Sequence, residues 1–210
     1  MKTLLTLLTC LFILSPYVVL SETVKYEDLV KREGLYYKKF TDVLFSGTVT
    51  GIKQGKLKDG KQDGPWVRYW ENGQLHYKVT YKDGKQDGPW VRYWANGQLH
   101  YKVSYKDGKL DGPYVGYHDN GQILRKGTNK NGKKSGKWVQ YWSNGKLWSK
   151  GTYRISKKEG QWVNYWSNGQ LRFKGNYKND KEEGQWVSYL RNGKLEFKGT
   201  VKNGNWTMNK

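Results

Sequence analysis

A glycine and an aromatic residue, with one residue between them, recur every 24 residues through most of this chain. The pairs are Gly64/Trp66, Gly88/Trp90, Gly112/Tyr114, Gly136/Trp138, Gly160/Trp162 and Gly184/Trp186. A fixed period between 20 and 50 residues indicates a repeat array, in which each unit buries its apolar side chains against its neighbours. Such arrays present long surfaces, so the period argues against a single deep catalytic pocket.

The unit at residues 64–87 shows what each repeat folds into. Residues 66–70 and 75–81 are runs of strand-forming residues, and Asn72-Gly73 lies between them. Asn-Gly is the strongest hairpin signal because a type I′ turn needs a positive φ at both central residues. Asp83-Gly84 and Asp87-Gly88 then predict a longer connecting loop. The expected fold is therefore all-β, an extended antiparallel β-hairpin array forming one sheet.

The repeats divide the chain into three parts. Residues 1–21 are predicted to be a signal peptide, residues 22–44 an N-terminal cap, and residues 45–210 the array. We expect the cap to be a hairpin around Glu33-Gly34 that covers the first sheet edge, with a helical turn at Tyr26 as the alternative. The array divides into 45–63 (partial), 64–87, 88–111, 112–135, 136–159, 160–183, 184–203 and 204–210 (partial).

A two-residue turn at Asn72-Gly73 would also set which side chains share a face. It pairs Trp70 with Leu75, and strand alternation then groups Trp66, Trp70, Leu75, Tyr77 and Tyr81 on one face. The opposite face would carry Val67, Tyr69, His76 and Lys78. The first group holds more large apolar side chains, so we expect that face to be packed.

One lysine and one tyrosine recur in every repeat on the face opposite the tryptophans. Since strands lie about 4.8 Å apart, the lysines would form a ladder about 50 Å long. The ladder is a candidate track for an acidic partner, although lysine stems that merely cover apolar sheet surface would give the same pattern. The candidate binding residues are Lys78, Lys102, Lys126, Lys150, Lys174, Lys198, Tyr69, Tyr93, Tyr117, Tyr141, Tyr165 and Tyr189.

Charge and the N-terminal residues bear on partner and location. The formal net charge is +20, which favours association with acidic partners. Lys2 precedes a mostly apolar run, and Val19 and Ser21 suit a cleavage site, as is typical of a secretory signal peptide. We therefore expect export to the periplasm, the cell surface or the medium. Cys10, the only cysteine, lies inside this segment.

No group of residues in the sequence predicts catalysis. The three histidines occupy repeat positions that are not grouped with carboxylates or thiols at metal-ligand spacing. Asp83 and Asp87 precede glycines and are typical turn residues. There is also no nucleophile elbow, phosphate loop or dinucleotide-binding glycine pattern. We expect a protein that is not an enzyme and that needs no cofactor or metal.

The repeated pattern Gly-x-Trp-x-x-Tyr-Trp-x-Asn-Gly-Gln-Leu, followed by Tyr-Lys-Asp-Gly-Lys-x-Asp-Gly, resembles the bacterial MORN-repeat variant found in YwqK-family antitoxin-like proteins. The resemblance covers about residues 45–206 and implies a hairpin array with a protein-binding, scaffold, antitoxin-like or immunity-like role, whose partner would be a toxin. The alternative is that the basic-aromatic sheet binds an anionic membrane or polysaccharide. Nucleic acid is not expected, because exported proteins seldom meet it.

Overall fold

The computed structural model describes residues 21–208, and the predicted signal peptide lies outside the described residues except for Ser21. These residues form eighteen strands and one short 3-10 helix, Tyr26–Asp28. The strands are β1 (Thr23–Lys25), β2 (Leu29–Arg32), β3 (Leu35–Lys38), β4 (Gly47–Thr50), β5 (Lys53–Lys58), β6 (Lys61–Tyr69), β7 (Leu75–Lys82), β8 (Lys85–Tyr93), β9 (Leu99–Lys106), β10 (Lys109–Tyr117), β11 (Ile123–Lys130), β12 (Lys133–Tyr141), β13 (Leu147–Arg154), β14 (Lys157–Tyr165), β15 (Leu171–Lys178), β16 (Lys181–Tyr189), β17 (Leu195–Lys202) and β18 (Asn205–Met208).

Strands β4 to β18 lie side by side in chain order in one antiparallel sheet, and β1 joins its first edge in parallel with β4. Strands β2 and β3 form a separate hairpin. Each repeat supplies two neighbouring strands, so the sheet grows by two strands every 24 residues. The predicted all-β hairpin array in a single extended sheet is confirmed.

The tight type I′ turns lie where the sequence predicted long connecting loops. Asp83 and Gly84 have φ values of 50° and 79°, and they connect Lys82 directly to Lys85 across the ladder. Both central residues with positive φ are what a type I′ turn requires. Gly88 lies inside β8, where a bulge interrupts pairing with β7. The prediction of a loop from residue 83 to residue 88 was therefore wrong, because the strand begins immediately after the turn.

The Asn-Gly turns have a different geometry from the one predicted. Gly73 N–H donates to the Trp70 carbonyl at 2.9 Å, and Trp70 N–H donates to the Gln74 carbonyl at 2.7 Å. Only Gly73 has a positive φ in this turn. These bonds describe a three-residue loop with a bulge at glycine, the next most common hairpin connection after the two-residue turns. As a result Tyr69, and not Trp70, lies opposite Leu75.

The core is a row of tryptophans, four of which lie flat on glycines of the preceding strand. Trp66, Trp138, Trp162 and Trp186 are each exposed by 4% or less. A Cβ added to Gly151 would lie 2.2 Å from the ring of Trp162, and Gly55, Gly127 and Gly175 make the same approach to the other three rings. The missing side chain therefore lets each indole pack directly against backbone.

The N-terminal hairpin packs against the first repeats. Leu29, Tyr36 and Phe45 join a buried cluster with Leu57 and Trp66. Tyr36 N–H also donates to the carbonyl of Gly60, in the turn between β5 and β6, at 2.8 Å. Both structures considered for this segment are present, because the helical turn at Tyr26–Asp28 precedes the hairpin. The outermost position of the sheet is filled by β1 and not by the hairpin.

Candidate functional site

The six repeated lysines form one continuous row across the sheet. Val67 lies directly opposite Lys78, and Lys78 lies opposite Val91 on its other side. The same alternation of valine and lysine continues strand by strand to Lys198. All six lysines are exposed. Successive lysines are separated by two strands, which is about 9.6 Å, so the row extends about 48 Å.

The six repeated tyrosines form a second row on the same face. Tyr69 follows Val67 by two residues and therefore points the same way. It lies opposite Leu75, and the equivalent pairs continue to Tyr189 and Leu195. All six tyrosines are half-buried. We call these two rows together the lysine–tyrosine face. The valines of this face also recur every 24 residues, and the predicted binding residues did not include them.

The lysines of this face carry charge without a counter-ion. Between Ser21 and Met208, the four salt bridges are Lys25–Glu27, Arg32–Asp42, Lys38–Glu22 and Arg154–Glu159, none of which includes a ladder lysine. Several acidic residues lie nearer the type I′ turns, where they accept backbone hydrogen bonds, whereas Glu71 and Asp119 lie in Asn-Gly tips. Asp87 accepts from Asp107 N–H at 3.2 Å, and Glu159 accepts from Asn179 N–H at 3.2 Å.

A shallow depression lies between the last two lysines of the ladder. Its lining includes Lys174, Val187 and Lys198, together with Gln161 and Gln185. Lys126 shows how a ladder lysine contacts the tyrosine row, since its Nζ lies 5.9 Å from the ring centre of Tyr141. The face thus combines cationic groups, amides and apolar surface.

The opposite face, which carries the core tryptophans, has a different chemistry. Rings contact one another from Trp66 through Tyr153 and Trp162 to Trp206, mostly in edge-to-face or tilted pairs. This face prediction was correct for Trp66 but wrong for Leu75 and His76. The bulge at His76 moves Leu75 to the lysine–tyrosine face and stacks the His76 ring on Trp70, with ring centres 3.6 Å apart.

Histidine and arginine lie close together on this tryptophan face. His76 is 9% exposed and its neighbours include Arg68 and Arg92. Burial, and then these two guanidinium charges, lower the pKa of His76. Burial likewise lowers the pKa of His100, which stacks on Trp94 at 3.6 Å. Both shifts favour the neutral imidazole, and both rings pack against tryptophan at the hairpin tips.

The asparagines of the Asn-Gly turns connect one repeat to the next. Asn144 accepts a hydrogen bond from Lys146 N–H through Oδ1 at 3.1 Å. Its Nδ2 donates to the carbonyl of Ser167, in the next tip, at 2.9 Å. Asn72, Asn120 and Asn168 make equivalent bonds to the following repeat. The tips are thus held in register by asparagine side chains, and Trp142 and Trp166 add indole hydrogen bonds to the carbonyls of Tyr165 and Tyr189.

Between residues 21 and 208, no three His, Cys, Asp or Glu side chains lie close enough together to hold a metal ion. The same residues contain no helix that is long and apolar enough to cross a membrane.

Comparison with known proteins identifies the repeat. The family model of the MORN repeat variant matches residues 62–83, 86–107, 110–131, 134–154, 158–179 and 182–203. Each match covers one hairpin whose two strands are joined by an Asn-Gly turn, and the six matches span more than half of the chain. No curated protein matches the sequence.

Proposed function

The chain belongs to the MORN repeat variant family, and on this premise we propose that it is a non-enzymatic, exported protein that holds an acidic partner protein on its lysine–tyrosine face. MORN repeats are generally modules that bind proteins or membranes. The observation that carries the proposal is the row of six exposed lysines, which has no counter-ion among the described residues.

Charge and shape favour this face over the tryptophan face. The core indoles are already buried within the sheet, and Trp66 is exposed by only 1%. The lysines instead remain in water, with half-buried tyrosines beside them. Tyrosine is enriched at protein interfaces because it supplies a large contact area at low cost in side-chain entropy. An acidic partner would gain both charge complementarity and apolar contact.

The finer form of the proposal is an antitoxin-like or immunity-like role, in which the bound partner is a toxin. It is supported by the resemblance of the repeats and by the charge of +20. The signal peptide expected at residues 1–21 favours a toxin that is met outside the cytoplasm. In this role the protein neutralises its partner by occupying an acidic surface.

The test is affinity capture from the native host's envelope and medium with the purified protein. A ladder variant carries three substitutions in the lysine row, Lys102→Gln, Lys126→Gln and Lys150→Gln. A matched turn variant removes the same charge at three exposed lysines beside the turns, through Lys82→Gln, Lys106→Gln and Lys130→Gln. We expect the ladder variant to lose the partner and the turn variant to retain it. Equal capture by both variants would contradict the proposal.

A second candidate is binding to an anionic membrane or polysaccharide, favoured by the regular spacing of the exposed lysines. Each lysine near an anionic surface contributes about 1 kcal/mol, and the contribution is screened by salt. Vesicles containing phosphatidylglycerol would then bind the protein at low salt and lose it when the three ladder lysines are replaced. Binding that is equal with neutral vesicles would exclude this role.

A further inference from the structure

The lysine and tyrosine rows repeat with the same spacing and run parallel to each other. Both advance by two strands per repeat, which is about 9.6 Å. They are separated by two residues along each strand, which is about 6.7 Å. Val67 and Lys78 define the first row, and Tyr69 and Leu75 define the second. A ligand lying along the sheet therefore meets one cation and one aromatic ring at every step.

Among regular peptide conformations, one matches this step closely. A polyproline II helix has three residues per turn and advances about 9.3 Å per turn, so every third side chain points the same way. Over the five steps from Lys78 to Lys198 it departs from the lysine spacing by about 1.5 Å. An α-helix needs seven residues, about 10.5 Å, to present the same side, and departs by about 4.5 Å. In a β-strand, side chains that are three residues apart point to opposite faces, so they do not form one row.

We propose that the lysine–tyrosine face binds an acidic polyproline II segment of a partner protein, with one carboxylate side chain per turn opposite each successive lysine. This inference rests on the protein-binding role proposed above and specifies the partner. The carboxylate of each turn lies at a ladder lysine, and the proline rings of the same turn lie against the tyrosine row.

The tyrosine row supplies the contact that such a segment requires. Polyproline II segments dock in grooves lined with aromatic side chains, and their preformed backbone loses little entropy on binding. The six tyrosines are half-buried and so hold their rings in place beside the lysines.

The other side of the lysine row is unsuited to an acidic ligand. Asp87, Asp111 and Glu159 lie there, toward the type I′ turns, and each accepts a hydrogen bond from the backbone of the next hairpin. These carboxylates would repel an acidic segment. The segment is therefore placed over the lysine and tyrosine rows, toward the Asn-Gly tips.

The test uses a fluorescent peptide of six Pro-Pro-Glu repeats and measures its binding to the full protein by anisotropy at low salt. A control peptide has the same composition with its glutamates at irregular spacing, and a second control replaces glutamate by lysine. We expect the regular peptide to bind about tenfold more tightly than the irregular one, and the basic peptide not to bind. Replacing Lys102, Lys126 and Lys150 by glutamine should weaken binding of the regular peptide about tenfold, as three exposed charge pairs of ordinary strength would provide.

The spacing comparison decides the proposal. Equal affinity for the regular and irregular peptides would overturn it and leave only non-specific attraction by charge. Absence of binding by either peptide would also overturn it. If affinity capture still depends on the ladder lysines in that case, the protein-binding role stands with a partner of a different conformation. If only anionic vesicles bind, both proposals fail in favour of the membrane candidate.

Discussion

Replacing Gly151 by alanine should destabilise the protein, although alanine is ordinarily the better strand residue. The added Cβ would lie 2.2 Å from two ring atoms of Trp162, so the indole must move. Trp162 is now 2% exposed and its Nε1 donates to the Thr152 carbonyl at 3.3 Å. An equivalent position in an earlier repeat shows where the ring of Trp162 would move. Val79 occupies the position equivalent to Gly151 opposite Trp90, and Trp90 is half-buried with an unpartnered indole N–H.

The size of the effect follows from that comparison. Moving Trp162 into the environment of Trp90 would expose about a tenth to a third of its roughly 250 Å². At about 25 cal/mol per Å² this costs about 0.6–2 kcal/mol. Leaving the indole N–H buried without an acceptor costs about 1–3 kcal/mol more. Alanine offsets about 0.5–1 kcal/mol through its lower backbone entropy. The net loss of unfolding free energy is therefore about 1–4 kcal/mol.

Urea unfolding followed by circular dichroism measures this loss, with Thr152→Ala as a control that leaves Gly151 and the acceptor carbonyl in place. A second comparison uses the Val103–Tyr114 pair already present in the chain. Gly151→Val together with Trp162→Tyr reproduces that pair and should recover much of the loss caused by Gly151→Val alone. A midpoint for Gly151→Ala equal to or above the parent's would refute the packing argument, as would a double variant no more stable than the single one.

Two further predictions concern the hairpin tips. Asn144→Asp keeps the acceptor for Lys146 N–H but replaces the donor to Ser167, so it should cost about 1 kcal/mol or more and speed amide hydrogen exchange at the two tips; unchanged exchange would contradict this role. Because burial lowers the pKa of folded His76 and His100, the unfolded chain binds protons more readily, and the free energy of unfolding should fall as the pH is lowered from about 7 to about 5. Replacing both histidines by phenylalanine should flatten that part of the pH profile, and an unchanged slope would show that other groups cause it.

The sequence was sufficient for the architecture but not for the positions of the two turns. Asn72-Gly73 and Asp83-Gly84 are both strong type I′ dipeptides, and only one of them per repeat forms that turn. Strand pairing along the whole ladder decides which dipeptide forms the type I′ turn, and the two turn residues alone do not encode that pairing. The turn at Ile155 and Ser156 shows the same effect of strand pairing, because both residues adopt a positive φ although neither is a glycine.

The candidate site was predicted only in part for the same reason. Lys78 and Tyr69 share a face with either type of turn. Lys78 lies opposite Val67 on the neighbouring strand, and Tyr69 follows Val67 by two residues on the same strand. Leu75 and His76 lie beyond the bulge, where one extra residue exchanges the faces. The hydrogen bond from Asn144 to the next tip was not predictable either, because it joins residues of adjacent repeats through a carbonyl group.

From β5 to β17, each strand of the array is hydrogen-bonded to the strands before and after it in the chain, and this has a consequence for how the protein can change in evolution. Residues 64–87 and 88–111 differ at three positions, Glu71/Ala95, Thr80/Ser104 and Gln86/Leu110. Excising the second of these units would join Asp87 to Gly112, which has the same local neighbours as Gly88. Gene segments of this length can therefore be gained or lost by unequal recombination without redesign of the remainder. The length of the lysine row is then set by the number of repeats, and it changes by one lysine with each unit gained or lost.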